Sequence, residues 1–197
     1  MGANDREIEQ KLIVTRAKGS KPLDMHEVEY HVRAMFLGEE TKFVDDHSKD
    51  VFWRGPGRKF MRVRFRPQGG GQFTLKDEDK GNNVDRVEVD VEVDHPDKVV
   101  RIETAMRGRP TGELWKAYYV HVLEDEHTTV SVYSVDGDPK SRVFVEVEAE
   151  NHDRMRELED EVKSRLSDLG FKVEKAPGSL FSMFFGFNEG VPSEKAT

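Results

Sequence analysis

Several short runs in this sequence alternate charged and apolar residues so that charges of one kind fall on one face. Glu7, Glu9 and Lys11 alternate near the N-terminus, and Arg62, Arg64 and Arg66 alternate within Phe60–Arg66. Lys76 shares a register with Thr74, Arg86 with Glu88, and Glu146 with Glu148 and Glu150. Lys116 stands alone in Leu-Trp-Lys-Ala-Tyr-Tyr. Carboxylates in such rows can hold oxygen-seeking divalent cations such as Mg²⁺ or Mn²⁺. Arginine offers a planar fork that matches phosphate, and lysine adds a compact point charge. Together the rows describe a site for a metal and a polyphosphate.

The spacing of two places these residues on strands, where alternate side chains share a face. Strands are expected over residues 7–14, 50–54, 60–66, 72–77, 86–93, 114–122, 128–135 and 142–150, with turns at Gly55-Pro56-Gly57 and at Gly69–Gly71. Helices are expected over 24–36, capped by Asp24, over 95–106, with Pro96 in its first turn, and over 153–169, stopped by Gly170. An apolar knot, Leu180–Phe187, precedes a polar end. The sum is an α+β chain of about eight strands and three helices in a single domain over 1–187, with 188–197 as a tail.

For any one strand, a charged face turned to water explains the alternation equally well. Taken together the faces are sorted by sign, which solubility alone does not favour. The face from Phe60 is wholly basic, and the face from Arg142 carries Glu146, Glu148 and Glu150. Sorting of this kind suggests a barrel with a polar interior and helices on its outer wall. Unpaired charges inside would each cost several kcal/mol, which a bound cation and oxyanion would offset.

Composition narrows the alternatives. Charged and hydrophobic residues each make up 36% of the chain, and the formal net charge is −8. That balance argues against nonspecific duplex binding and against an anionic membrane surface. The aromatic residues Phe52, Trp53, Phe65 and Trp115 read as core rather than as a base-stacking platform, with Trp53 and Trp115 under helices. There is no cysteine, so thiolate chemistry and disulfides are excluded. With no apolar leader and no span of roughly 20 apolar residues, the protein is expected to be soluble and cytoplasmic. The seven histidines show no ligand spacing and are expected at the surface or at caps.

The ordered set of motifs resembles the CYTH superfamily, the triphosphate tunnel metalloenzymes, across residues 7–187. Its glutamate-x-glutamate-x-lysine signature appears as Glu7, Glu9 and Lys11, its paired arginines as Arg62 and Arg64, and its next-strand lysine as Lys76. The arginine-x-glutamate appears as Arg86 and Glu88, the late basic residue as Lys116, and the closing motif as Asp136, Phe144, Glu146 and Glu148. The resemblance implies a closed, eight-stranded antiparallel tunnel. It implies Glu7, Glu9, Glu146 and Glu148 as ligands of Mg²⁺ or Mn²⁺, and Lys11, Arg62, Arg64, Lys76, Arg86 and Lys116 as contacts to a triphosphate. Lys11, Glu88 and Asp136 take catalytic positions, Glu88 and Asp136 as further metal ligands or as orienters of water and lysine.

Implied substrates are inorganic tripolyphosphate, thiamine triphosphate or ATP, with a monomer or homodimer as the assembly. Hydrolysis and cyclisation of ATP can share one cradle, so a triphosphatase and a class IV adenylyl cyclase both remain open, as does a noncatalytic binding module. The histidine-phenylalanine pair that bacterial class IV cyclases tend to carry before the signature is not seen, which favours the triphosphatase. Arg142 stands where the family often has glycine, and is expected to narrow one mouth or to add a phosphate contact. Asp90 and Glu92 have no assigned role; together with Arg66 and Glu150 they are read as solvated strand ends.

Overall fold

A computed structural model of the chain describes residues 6–16, 23–57, 59–77, 85–124 and 127–186, the side chains of residues 6–7 and 85–87 excepted. Glu7 and Arg86 therefore enter only through their backbones, and Phe187 with the expected tail lies outside the described residues. In chain order the elements are β1 (Arg6–Thr15), α1 (Met25–Met35), β2 (Glu40–Arg54), β3 (Lys59–Phe65), β4 (Gly71–Asp77) and β5 (Asp85–Val93). There follow α2 (Pro96–Arg107), β6 (Gly112–Leu123), β7 (Thr129–Val135), β8 (Val143–Glu148), α3 (His152–Asp168), β9 (Lys172–Lys175) and α4 (Leu180–Phe185).

The strands form one antiparallel sheet in the order β5-β4-β3-β2-β6-β7-β8-β1-β9. β1 is paired along both of its edges. One edge of β1 pairs with β8 over Glu9–Val14. The other edge is shared, with β5 taking Arg6–Ile8 and β9 taking Leu12–Thr15. Strand β5, the far end of the order, thus also meets β1. Among the described residues the sheet has nine strands rather than the expected eight, because β9, short and mostly exposed, adds to β1 outside the motif-bearing set.

Period-two alternation gives the motif-bearing strands an apolar outer face and an inner face that carries their charged residues, whereas Val51, Phe52 and Trp53 of β2 are buried on both faces. The outer face is covered by helices. Asp24 caps α1 by accepting from the His26 backbone N–H at 3.0 Å, and Val28, Val32 and Phe36 form its buried stripe. Asn151 caps α3, whose Met155, Leu158, Val162 and Leu166 are fully buried against Leu12, Val14, Val145 and Val147. Each such side chain contributes roughly 1.5–3 kcal/mol of burial. α2 covers a second cluster of Val51, Trp53, Met61 and Val63, and the Trp53 indole donates to the Gly108 carbonyl at its C-terminus (3.2 Å).

Three expectations are corrected here. β2 starts ten residues before Asp50, at Glu40; its first half pairs with β6 alone, across an irregular register between Glu40 and Lys42. Trp115 is 50% exposed rather than covered by a helix, with Lys49 Nζ 5.6 Å from its ring. His121 is 0% exposed, with Nδ1 2.5 Å from Glu40 Oε2 and its ring 5.2 Å from Phe43. It packs on the sheet side of α1 rather than at the surface.

The apolar knot near the end is a helix. α4, capped by Ser179, fills one end of the inner face with Leu180 and Phe181, which pack on Phe52, Phe60, Leu114, Tyr133, Val135 and Phe144. Phe181 stacks on Phe60 at 5.1 Å. The fit is close enough that a Cβ at Gly112 would lie 2.1 Å from the Phe185 ring. Phe181→Ala is expected to lower stability by about 3–5 kcal/mol. A denaturant midpoint unchanged from wild type would show that α4 is not docked there.

Candidate active site

Above the α4 plug the inner face encloses a cavity of about 410 Å³, lined among others by Arg62, Arg64, Lys76, Lys116, Glu88, Glu146 and Glu148. A smaller space of about 60 Å³ continues toward α4, bordered by Glu9, Lys11, Asp50 and the same cations. Strand register explains the convergence. Glu9 sits opposite Glu148 and Lys11 opposite Glu146 on the β1–β8 ladder. Arg64 sits opposite Asp50 on β2–β3, and Lys76 opposite Glu88 on β4–β5. Every member points to the same face because each pair shares its phase.

At the acidic side, lysines bridge the carboxylates. Lys11 Nζ lies 3.6 Å from Glu9 and 3.2 Å from Glu146. Lys76 Nζ lies 3.3 Å from Glu9 and 2.5 Å from Glu88. Glu146 also accepts from the Tyr133 hydroxyl at 2.8 Å. Burial works to raise the Glu146 carboxyl, but Lys11 and Lys76 overcome it and hold the group well below the usual carboxylate range. Tyr133 is correspondingly pushed well above an ordinary phenol by burial and by the Glu146 charge.

Glu148 behaves differently. Burial, reinforced by the like charge of Glu146, pushes it up to about 7. An acid raised in the folded state binds more protons folded than unfolded, so its contribution to stability falls as pH rises from the unfolded value toward 7. The stability of the cation-free protein relative to Glu148→Gln should therefore decline over that window, as read by denaturant titrations at a series of pH values. Parallel pH curves for the two proteins would contradict this environment for Glu148.

At the basic side, Arg62 donates to Gln72 (3.0 Å) and to the Thr74 hydroxyl (2.7 Å), which in turn donates to Asp90 (2.5 Å). The buried Arg62 Nε has no hydrogen-bond partner among the described residues. Arg64 holds Asp50 through two bonds of 2.9 and 3.2 Å, and Lys116 Nζ lies 2.9 Å from the same carboxylate.

Of the residues expected in the site, Glu9, Lys11, Arg62, Arg64, Lys76, Glu88, Lys116, Glu146 and Glu148 are brought together. The backbones of Glu7 and Arg86 are paired with each other across β1 and β5. Asp136 is exposed in the turn after β7, its backbone N–H bonded to Trp115 O, and it does not border the cavity. Arg142 does not line the cavity: Asp138 holds it at 2.8 and 3.0 Å, between the rings of Phe144 and Phe184. Arg66, read as a solvated strand end, borders the cavity and donates to Glu92 at 2.9 Å, whereas Glu150 is exposed. Asp90, read as a solvated strand end, borders the cavity and bonds Thr74. Asp50, Tyr133 and Gln72 were not singled out by sequence. Tyr133 and Gln72 share the phase of the motif residues on their hairpins, which is the signal that reaches them; Asp50 lacks even that, since its neighbours Val51, Phe52 and Trp53 are buried on both faces.

The donor set suits a hard divalent cation. It is all oxygen, and Glu148 sits beside Glu146 with a charge penalty that a cation would remove. Among the described residues no three acidic or histidine side chains already converge on one point, because Lys11 and Lys76 bridge them.

No protein-family model matches the chain, and no curated protein is similar to it in sequence. Solved structures share its fold. The PH1012 protein of Pyrococcus horikoshii OT3 superimposes with a TM-score of 0.64 at 20% identity, covering 84% of this chain and 94% of its own. A conserved hypothetical protein of Pyrococcus furiosus gives 0.65 at 19% identity, covering 88% and 98%. A Hippeastrum protein described as a candidate adenylyl cyclase with a dominant triphosphatase activity gives 0.61 at 16% identity, covering 90% and 94%. Among the described residues no helix is long and apolar enough to cross a membrane.

Proposed function

We propose that the chain is a triphosphate tunnel metalloenzyme: a hydrolase, dependent on Mg²⁺ or Mn²⁺, of tripolyphosphate, thiamine triphosphate or a nucleoside triphosphate. The observation that carries this reading is the meeting of Arg62, Arg64, Lys76 and Lys116 with Glu9, Glu88, Glu146 and Glu148 around one cavity. Rows of carboxylates and of cations on an inner face have no use in solubility, and a cation with a polyanion satisfies both. The unpartnered Arg62 Nε is a donor left for such an anion. The β1–β5 pairing supports a channel closed on all sides. The fold shared with the Hippeastrum protein, itself described as dominantly a triphosphatase, agrees with hydrolysis.

Arg62 and Arg64 would grip phosphate oxygens by their forks, with Lys76 and Lys116 adding point charges. Glu9, Glu146 and Glu148 would hold the cation, joined by Glu7 as the resemblance implies. When bound, the cation supplies charge neutralisation on the phosphate oxygens and a more acidic water. Lys11, 3.6 Å from Glu9 and 3.2 Å from Glu146, would orient that carboxylate pair and meet the charge of the end phosphate.

Chromatographic analysis of the products from ATP with Mg²⁺ or Mn²⁺ separates the two activities open to this cradle. Orthophosphate with ADP is the expected outcome. Pyrophosphate with cyclic AMP would make the protein a cyclase instead, and tight binding without turnover would make it a binding module.

A further inference from the structure

Asp50 is 0% exposed, and none of the motif residues explains why a carboxylate should be buried there. Its strand, β2, lies between β3 and β6 in the sheet, and it takes one cation from each side. Oδ1 accepts from Arg64 Nε at 2.9 Å; Oδ2 accepts from Arg64 Nη2 at 3.2 Å and lies 2.9 Å from Lys116 Nζ. Asp50 borders only the small inner space, whereas Arg64 and Lys116 border the main cavity as well. Resting on the triphosphate reading above, we propose that Asp50 is a positioning residue that fixes Arg64 and Lys116 side by side as one preformed seat for a phosphoryl group.

Two cations brought together from β3 and β6 repel one another, and a carboxylate between them offsets part of that repulsion before any substrate arrives. Both are held in place by the same carboxylate, so little ordering is left to be done on binding. Asp50 itself is set for this. Burial acts to raise its carboxyl, but Arg64, Lys116 and Arg62 together hold it far below the usual range, so it stays an anion. Lys116 is finely balanced: burial and the neighbouring Arg64 push it down to about 7, with Arg62 adding to the fall and Asp50 opposing it. The other groups that face it are the Tyr133 ring on β7, 5.5 Å from Nζ, and Glu146 on β8. An amine is charged below its pKa, so the seat loses its second cation as pH rises through about 7. Without Asp50 that loss moves to lower pH.

The test is calorimetric titration of the protein with tripolyphosphate across about pH 5.5–8.5, the range that brackets Lys116, beside KM and kcat for the same compound. Asp50→Asn is expected to weaken binding about tenfold or more near neutral pH, equivalent to one displaced pKa unit, with part of the loss recovered in acid. Asp50→Glu, which keeps the charge, should retain the wild-type pH profile. Because Asp50→Asn leaves Arg64 and Lys116 unbalanced and endangers folding, the double variant Asp50→Asn/Lys116→Gln, which removes one cation with the anion, is compared with Lys116→Gln alone. There the Asp50 change should have a clearly smaller effect than in the wild-type background. A wild-type pH profile and affinity in Asp50→Asn, with only its melting temperature lowered, would reduce Asp50 to a structural group and overturn the inference. An Asp50 effect equal in both backgrounds would overturn it too. Wild-type protein that binds no tripolyphosphate would sink the functional reading itself and this inference with it.

Discussion

Glu146→Gln should lower kcat for tripolyphosphate by about 100-fold or more, the equivalent of a few kcal/mol of lost transition-state stabilisation. The substitution is nearly isosteric. The amide oxygen can still accept from the Tyr133 hydroxyl, now 2.8 Å from the carboxylate, so the fold should hold. What disappears is the negative charge that Lys11 and Lys76 keep ionised against burial. That charge has two uses in the proposed site: it helps bind the cation, and it keeps Lys11 near the β1–β8 ladder. Cation affinity, measured by titration with Mn²⁺ in the absence of substrate, should fall in parallel with turnover. A variant with intact cation affinity and turnover would remove Glu146 from the site.

Arg64→Ala should act on binding rather than on the chemical step. Arg64 offers the cavity a planar fork, and losing a charge-assisted pair of bonds to phosphate is expected to raise the dissociation constant for tripolyphosphate by about 10- to 100-fold. The carboxylate left behind is not abandoned, because Asp50 keeps Lys116 at 2.9 Å. The melting temperature should drop while the chain remains folded. An unaltered affinity, measured by calorimetry at equal pH and salt, would mean that the guanidinium serves only Asp50.

The inner face was legible because alternation survives wherever one face of a strand is polar and the other apolar. Glu9 with Lys11, Arg62 with Arg64, and Glu146 with Glu148 could be put on one surface before any pairing was known, since a spacing of two fixes the face. Alternation fails where both faces are buried or both are wet. Asp50 is followed by Val51, Phe52 and Trp53, all buried, and nothing in that run marks the carboxylate as facing inward. The first half of β2, Glu40–Lys49, is mostly half-buried or exposed, and its strand form comes from the long ladder to β6. His121 was hidden for a related reason: its phase puts it on the outer face, but only the packing of α1 makes that position buried. Asp136 entered by the order of the family's motifs, not by phase, and the turn after β7 leaves it exposed. Motif order located strands well and turn residues poorly, because a turn can rotate a side chain away without disturbing the ladder on either side.

The most direct test of the central claim is orthophosphate release from tripolyphosphate by the purified protein with Mg²⁺ or Mn²⁺, run beside an EDTA control and Glu146→Gln. The cavity as described predicts release that EDTA abolishes and Glu146→Gln nearly abolishes. No release from a folded wild-type protein, with tripolyphosphate, thiamine triphosphate or ATP, or release that EDTA leaves untouched, would contradict it.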